Sequence, residues 1–96
     1  MTKKSDWQLA IKTLKQATHD QKLPELLEIL LTSEEKELLP TRLELMHELL
    51  NEKKTQREIA ADLGISIAKI TRGSNNLKQL SPEWRAYLKK ILASIY

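Results

Sequence analysis

The chain has 96 residues, of which 41% are apolar and 30% are charged, and this balance favours one small domain spanning residues 1–96. It has no cysteine, which excludes disulfides and thiolate sites, and no apolar stretch suited to a membrane span or a secretion signal, so we expect a cytoplasmic protein. The net charge of +3 is uneven: residues 53–96 carry nine lysines and arginines against three acids, which favours a polyanionic partner over the alternative of a merely solvated basic surface.

Two helices are predicted in the first third of the chain, after a short polar stretch, residues 1–5, that we expect to be frayed. Apolar side chains recur at three- and four-residue steps from Asp6 to about Thr18, which is the pattern of an amphipathic helix. Pro24 can begin a second helix that reaches about Leu30 and is apolar on most sides. We therefore expect the second helix to be buried nearly all round.

A long helix is predicted from the Thr32-x-x-Glu35 capping box to about Leu50. Pro40 lies inside it and removes one backbone hydrogen bond, so we expect the helix to bend there or to divide near Leu39. Its leucines cover more than one narrow stripe. This excess predicts a homodimer, in which one side of the helix faces its own core and another side faces a second copy of the chain.

Residues 55–78 have the pattern of a helix-turn-helix DNA-binding unit. Thr55 and Glu58 form a second capping box at the start of the first helix. Gly64 can end that helix with a positive φ, and Ser66 can cap the next helix two positions later. The spacing predicts a sharp corner between two short helices, the second of which is the recognition helix.

The recognition helix is predicted to have one buried face and one basic face. Ile67, Ile70 and Leu77 have roughly the spacing of a buried face. No acidic residue lies between Leu63 and Pro82. The polar side chains that point away from the buried face are those of Lys69, Arg72, Asn75 and Lys78.

A last helix is predicted after Ser81, which can cap it, with Pro82 in its first turn. Its apolar seam begins at Trp84 and Tyr87, which we interpret as core or dimer-contact residues, and ends at Ile95. The chain is therefore predicted to be all-α, with six helices and no strands.

Several motifs together resemble the tryptophan repressor family, over about Leu26 to Leu92. They are Thr55-Gln56-Arg57-Glu58, Ile70-Thr71-Arg72-Gly73-Ser74-Asn75 with Leu77-Lys78 after it, Leu30-Leu31-Thr32, Thr41-Arg42 and Glu48-Leu49-Leu50. The resemblance implies an intertwined homodimer that represses transcription by binding double-stranded operator DNA, with L-tryptophan as corepressor.

The resemblance also implies a ligand site in which Arg42 and Arg72 sandwich the indole ring. Arg72 and the Thr32 hydroxyl would hold the ligand carboxylate, and backbone carbonyls at the end of the second helix would accept hydrogen bonds from its ammonium group. Asn76 stands where familiar members have a serine, Lys69 replaces a threonine and Pro40 replaces a glycine. The implied tryptophan site is Ile29, Leu31, Thr32, Arg42, Arg72, Gly73 and Asn76.

The DNA face is expected to combine the start of the first motif helix with the recognition helix. Arg57 is the expected reader of a guanine, and Lys78 and Arg42 are expected to meet phosphates. The candidates for this face are Gln56, Arg57, Ile67, Ala68, Lys69, Thr71 and Lys78.

Other functions remain open at this stage. A related helix-turn-helix regulator would bind DNA without responding to tryptophan, and a helical interaction module would have no DNA role. An enzyme is the least favoured class, because the Ser and Asp residues have no nucleophile or metal spacing. No metal site is expected, because His19 and His47 are isolated from each other in sequence.

Overall fold

The structure is a computed structural model that describes residues 4–96. Its helices are α1 (Lys4–His19), α2 (Leu23–Leu30), α3 (Ser33–Asn51), α4 (Gln56–Leu63), α5 (Ile67–Lys78) and α6 (Pro82–Ile95). These residues form six helices and no strand, so the all-α prediction is confirmed. The expectation of a frayed start concerns residues 1–5, of which 1–3 lie outside the described part, and α1 already includes Lys4. No helix within the described range has the length and hydropathy needed to cross a bilayer.

The chain divides into two compact units, one reaching Lys36 and the other spanning Glu37–Tyr96. In the first unit, α1 ends in a Schellman motif. Gln21 adopts the left-handed conformation with φ 60°, and the Lys22 N–H donates to the Ala17 carbonyl at 2.8 Å. This turn reverses the chain and places α2 beside α1.

The prediction that α2 is buried nearly all round is wrong for the single chain. None of its residues is buried, and the side chains of Ile29 and Leu30 are 85% and 59% exposed. Within its own unit, this eight-residue helix packs against α1, and its Glu28 pairs with Lys36 at 2.6 Å, but Ile29 and Leu30 stay uncovered. Such an exposed apolar surface is typical of an interaction site, so the prediction that α2 packs against a second chain stays a prediction.

The start of α3 is fixed as its sequence predicts. The Glu35 N–H donates to the Thr32 hydroxyl at 3.2 Å, and the Thr32 N–H donates to the Glu35 carboxylate at 2.9 Å. Hydrogen bonds to the Glu35 carboxylate, first from the Thr32 backbone N–H and then from the Thr32 side chain, lower the pKa of Glu35. Division of the helix near Leu39 is not observed, since α3 runs through Pro40 without interruption. A proline removes one hydrogen bond, and the turns on both sides of Pro40 keep theirs.

The second unit is organised around α3, which contributes one buried leucine to each of two core clusters. The first cluster joins α3 to α4 and α5, and the second joins α3 to α5 and α6. The first cluster is Leu45, Ile59 and Ile70, and the second is Leu50, Leu77 and Leu92. Both helices of the predicted DNA-binding motif are thereby packed on α3.

The apolar seam of α6 is only partly covered. Leu92 is buried and Leu88 is half-buried, but Trp84, Tyr87 and Ile95 are 57%, 53% and 74% exposed. The core interpretation of the two aromatic residues is therefore wrong, because they lie at the beginning of α6, away from the Leu50 cluster near its end. Their rings pack edge to face, with centroids 5.1 Å apart. Their role as dimer contacts stays a prediction.

Replacing Glu52 by glycine is expected to stabilise the protein. Glu52 follows the end of α3 with φ 56°, a left-handed conformation that a side chain disfavours, and its 3.6 Å ion pair with Arg85 is exposed and weak. We expect the free energy of unfolding to rise by about 0.5–1 kcal/mol. Urea denaturation at fixed protein concentration measures it. The matched control is Glu44→Gly inside α3, which is expected to lower the free energy of unfolding by about 1 kcal/mol. If both variants are less stable than the unaltered protein, the conformation of Glu52 is not strained.

Candidate DNA-binding and ligand-binding site

The corner between α4 and α5 has the geometry that the sequence predicts. Thr55 caps α4, accepting the Glu58 N–H at 3.1 Å while its own N–H donates to the Glu58 carboxylate at 2.9 Å. Gly64 ends α4 in the left-handed conformation, with φ 65°. The Ser66 hydroxyl then accepts the Lys69 N–H at 3.2 Å at the start of α5. The Thr55 bonds, first the one from its backbone, also lower the pKa of Glu58, so the box is in its charged form at neutral pH.

Every candidate for the DNA face is exposed on the second unit. The burial prediction for Ile67 is wrong, because its side chain is 45% exposed while Ile70 and Leu77 are buried. Ile67 is the first residue of α5, so it lies about one turn before Ile70, at the corner, and does not join the cluster around Ile70. Its exposure agrees with its other predicted place, on the DNA face. Exposed residues of this face are Gln56, Arg57, Ile67, Ala68, Lys69, Thr71 and Lys78.

The exposed residues of α5 form one broad face of the helix. At about 100° per residue they cover one continuous side of about 200°, with Ile67, Thr71 and Lys78 near one edge and Lys69 and Asn76 near the other. α5 contains no acidic residue. The outward side of the helix therefore offers cations and hydrogen-bonding groups without a competing carboxylate of its own.

Gly73 marks a close approach of α5 to α3. A Cβ atom at Gly73 would lie 3.1 Å from Cδ2 of Leu45 and 3.6 Å from Cδ1 of Leu49. Arg42 precedes Leu45 by three residues, so it lies on the same face of α3 and one turn earlier, and Arg72 is next to Gly73 on α5. The backbone thus places the two arginines on neighbouring helices near one contact. Neither pairs with a carboxylate in the part of the chain that the structure describes.

The other implied ligand residues, Ile29, Leu31 and Thr32, belong to the first unit. The Thr32 hydroxyl accepts the Glu35 N–H, and its O–H faces the Glu35 carboxylate, from which it would turn to donate to a ligand. The carbonyl oxygens of Ile29 and Leu31 lie at the end of α2, and in residues 4–96 no backbone N–H donates to either of them. This segment therefore offers one donor and two acceptors, while Arg42, Arg72, Gly73 and Asn76 belong to the second unit.

A family model described as Trp repressor protein matches residues 5–92 of the chain. The chain belongs to this family. Members of the Trp repressor family are regulators, and this member is a repressor of transcription. Among the described residues, no group of three or more His, Cys, Asp or Glu side chains is placed to hold a metal ion.

Relatives of this Trp repressor family member support the assignment over most of its length. A protein of Photobacterium profundum, named Trp operon repressor homolog, is 41% identical over 88 residues, covering 92% of this chain and 85% of that protein. A protein of the same name from Vibrio cholerae serotype O1 is 42% identical over 88 residues, with the same two coverages, 92% and 85%. Another from Mannheimia succiniciproducens is 44% identical over 84 residues, covering 88% of this chain and 83% of that protein.

Two polar contacts of this family member were not foreseen from its sequence. The Lys54 ammonium pairs with Glu48 of α3 at 3.2 Å and with Asp62 of α4 at 2.7 Å. Arg85 of α6 donates from Nη1 to the Leu77 carbonyl at 3.2 Å, near the end of α5. Both contacts join residues that lie on different elements, and no periodic pattern links them. The only signal in the sequence is the opposite charge of the Lys54 partners.

Proposed function

We propose that this protein is a tryptophan-dependent repressor, which binds operator DNA as a homodimer when L-tryptophan occupies a site completed by Arg42 and Arg72. The observation that carries the DNA role is the exposed, acid-free side of α5 at the end of a capped corner. Arg57 would read a guanine edge and Lys78 would contact a phosphate. A protein that acts on operator DNA in a bacterium works in the cytoplasm.

The homodimer is supported by the apolar surface that one chain leaves uncovered. Only six hydrophobic residues are buried in the described chain, whereas large apolar side chains on α2 and α6 are more than half exposed. A chain this small has a limited core of its own, and pairing would extend it. We propose that the two units form a single domain, residues 1–96, once two chains have intertwined. The exposed apolar residues of α2 and α6 are Ile29, Leu30, Trp84, Tyr87 and Ile95.

The tryptophan role is supported by the chemistry that the site residues retain. Arg42 and Arg72 have guanidinium groups without a carboxylate partner among the described residues, so each can stack on an indole ring. Arg72 can also pair with the ligand carboxylate, to which the Thr32 O–H can donate. The free carbonyls of Ile29 and Leu31 suit the ligand ammonium.

Repression would then follow from linkage between two binding events. Two recognition helices of a dimer enter successive major grooves about 34 Å apart, a geometry described for helix-turn-helix dimers that include the Trp repressor itself. Tryptophan would bind better to the state in which α5 has that orientation, so it would shift the population toward DNA binding. Operator DNA must reciprocally tighten tryptophan binding by the same factor.

The test uses a duplex that the protein itself selects from a random pool in the presence of L-tryptophan. We expect tighter binding to this duplex with tryptophan than without it, and a log–log salt slope of roughly −0.9 for each phosphate neutralised. Gel shift and isothermal titration measure the DNA affinity with and without tryptophan and its dependence on salt. D-Tryptophan and a shuffled duplex are the controls. Equal DNA affinity with and without L-tryptophan would refute the corepressor, and a flat salt profile would refute the basic face.

A tryptophan-independent repressor on the same scaffold is the second candidate, and one contact favours it. An added Cβ at Gly73 would lie 3.1 Å from Cδ2 of Leu45, so the close packing of α5 on α3 accounts for a glycine here without a ligand. Asn76 is also larger than the serine of familiar members. Isothermal titration of the pure protein with L-tryptophan separates the two candidates.

A further inference from the structure

Lys54 occupies the connection between α3 and α4 and reaches helices on both sides of it. Its ammonium lies 3.2 Å from the Glu48 carboxylate, six residues back on α3, and 2.7 Å from the Asp62 carboxylate, near the end of α4. The Glu48 side chain is 20% exposed, so one end of this bridge is largely shielded from water. The Lys54 ammonium donates hydrogen bonds to Asp62 and Glu48, and these bonds, first the one to Asp62, raise the pKa of Lys54.

This bridge acts on a helix whose apolar packing lies on one side only. Ile59 is the buried residue of α4, and the partly buried Ala60 and Leu63 pack with it against the same cluster. Packing therefore holds one side of α4 from its middle to its end, whereas the first turn, with Gln56 and Arg57, has no buried residue. The Asp62 carboxylate is near one end of α4, and the candidate DNA residues Gln56 and Arg57 are at the other. A tie at Asp62 therefore sets the direction in which Gln56 and Arg57 project.

We propose that Lys54 is a positioning residue for DNA recognition: by holding Asp62 to Glu48 it fixes the direction of α4 on α3. This inference rests on the proposed DNA-binding function. Exposed ion pairs add little to global stability. We therefore expect the loss of Lys54 to change the preference for one DNA sequence over another and to leave the free energy of unfolding almost unchanged. The competing role of Lys54 is a direct contact between its ammonium group and a DNA phosphate. The two roles predict different effects of removing the Asp62 carboxylate on DNA affinity.

The experiment compares Lys54→Met, Asp62→Ala, the double variant and Lys53→Met. Lys53 is the matched control, because it is an adjacent exposed lysine that forms no ion pair among the described residues. Each protein is titrated with the duplex selected by the unaltered protein and with a shuffled duplex of the same composition, both with L-tryptophan present. Hydrogen exchange of the α4 amides is measured on the same proteins without DNA.

Positioning predicts that Lys54→Met and Asp62→Ala each lower the ratio of selected to shuffled affinity by about fivefold. The double variant should lose no more than either single variant, since both remove the same bridge. The α4 amides should exchange faster in all three proteins and at the normal rate in Lys53→Met. Alanine favours helix more than aspartate does, so a loss in Asp62→Ala is not an effect of weaker helix propensity.

A direct phosphate contact predicts the opposite result for Asp62→Ala, because removing an acid near DNA strengthens binding to both duplexes. That result, or unchanged exchange of the α4 amides in Lys54→Met and Asp62→Ala, would overturn the inference. If the unaltered protein selects no duplex, the proposed function fails. Hydrogen exchange of the α4 amides, measured without DNA, would then show whether Lys54 fixes α4 on α3.

Discussion

Arg72→Ala is expected to abolish measurable tryptophan binding while the protein still folds. Arg72 is exposed on α5 and forms no ion pair with a carboxylate among the described residues, so its loss leaves no buried group without a partner. In the proposed site it both stacks on the indole and pairs with the ligand carboxylate. Together these contacts are worth about 3–4 kcal/mol, which corresponds to a loss of affinity of at least about 100-fold. Isothermal titration with L-tryptophan measures it.

Two further variants make the Arg72 result specific. Arg72→Lys keeps the charge but loses the planar fork, so we expect it to recover only part of the affinity. Lys89→Ala removes an exposed cation from α6 and is expected to bind tryptophan as the unaltered protein does. Circular dichroism checks the helical content of each variant. An Arg72→Ala protein with unchanged calorimetric affinity would disprove the assignment of Arg72 to the pocket.

Ile70→Ala is expected to cost about 3 kcal/mol of unfolding free energy. Ile70 is 0% exposed and packs with Leu45 and Ile59, so its side chain joins α5 to both α3 and α4. Truncation leaves a cavity where three helices meet, and the small core of the chain has few contacts to compensate. Urea denaturation gives the loss, and the protein concentration is held fixed because the stability of the proposed dimer would depend on it.

Ile67→Ala is the matched control for this experiment, since it makes the same chemical change three residues earlier on the same helix. Ile67 is 45% exposed, and we expect its truncation to cost less than about 1 kcal/mol. Similar losses for the two variants would show that the interior of the motif is not where the structure places it. A DNA-binding defect in Ile67→Ala without a stability defect would in turn support its place on the DNA face.

The parts of the fold that local chemistry determines were predictable from the sequence. The capping boxes at Thr32 and Thr55, the left-handed Gly64 and the Ser66 cap each depend on a few neighbouring residues, and all are present. Helical periodicity likewise predicted the burial of Ile70 and Leu77. The assignment of Arg42 and Arg72 to the ligand site was predicted from the family motifs. Their spacing alone favoured a phosphate contact or a surface charge for each.

What failed depends on distant parts of the chain or on another chain. The sequence pattern shows that α2 is apolar on most sides, but it does not say which molecule covers it. The same holds for Trp84 and Tyr87, which are apolar enough for a core and lie outside it. Lys54 and Arg85 were missed because their partners are on other helices, and charge complementarity at such separations is common on any protein surface.

The two leucines of α3 have a mechanical consequence. Leu45 and Leu50 are five residues apart, so they leave the helix axis in directions that differ by about 140°. α4 and α6 therefore pack on different sides of α3. A rotation of α3 about its own axis would separate the side chains of at least one of the two clusters. Arg42 lies one turn before Leu45 on α3, so the direction in which it leaves the helix is fixed by the same two clusters.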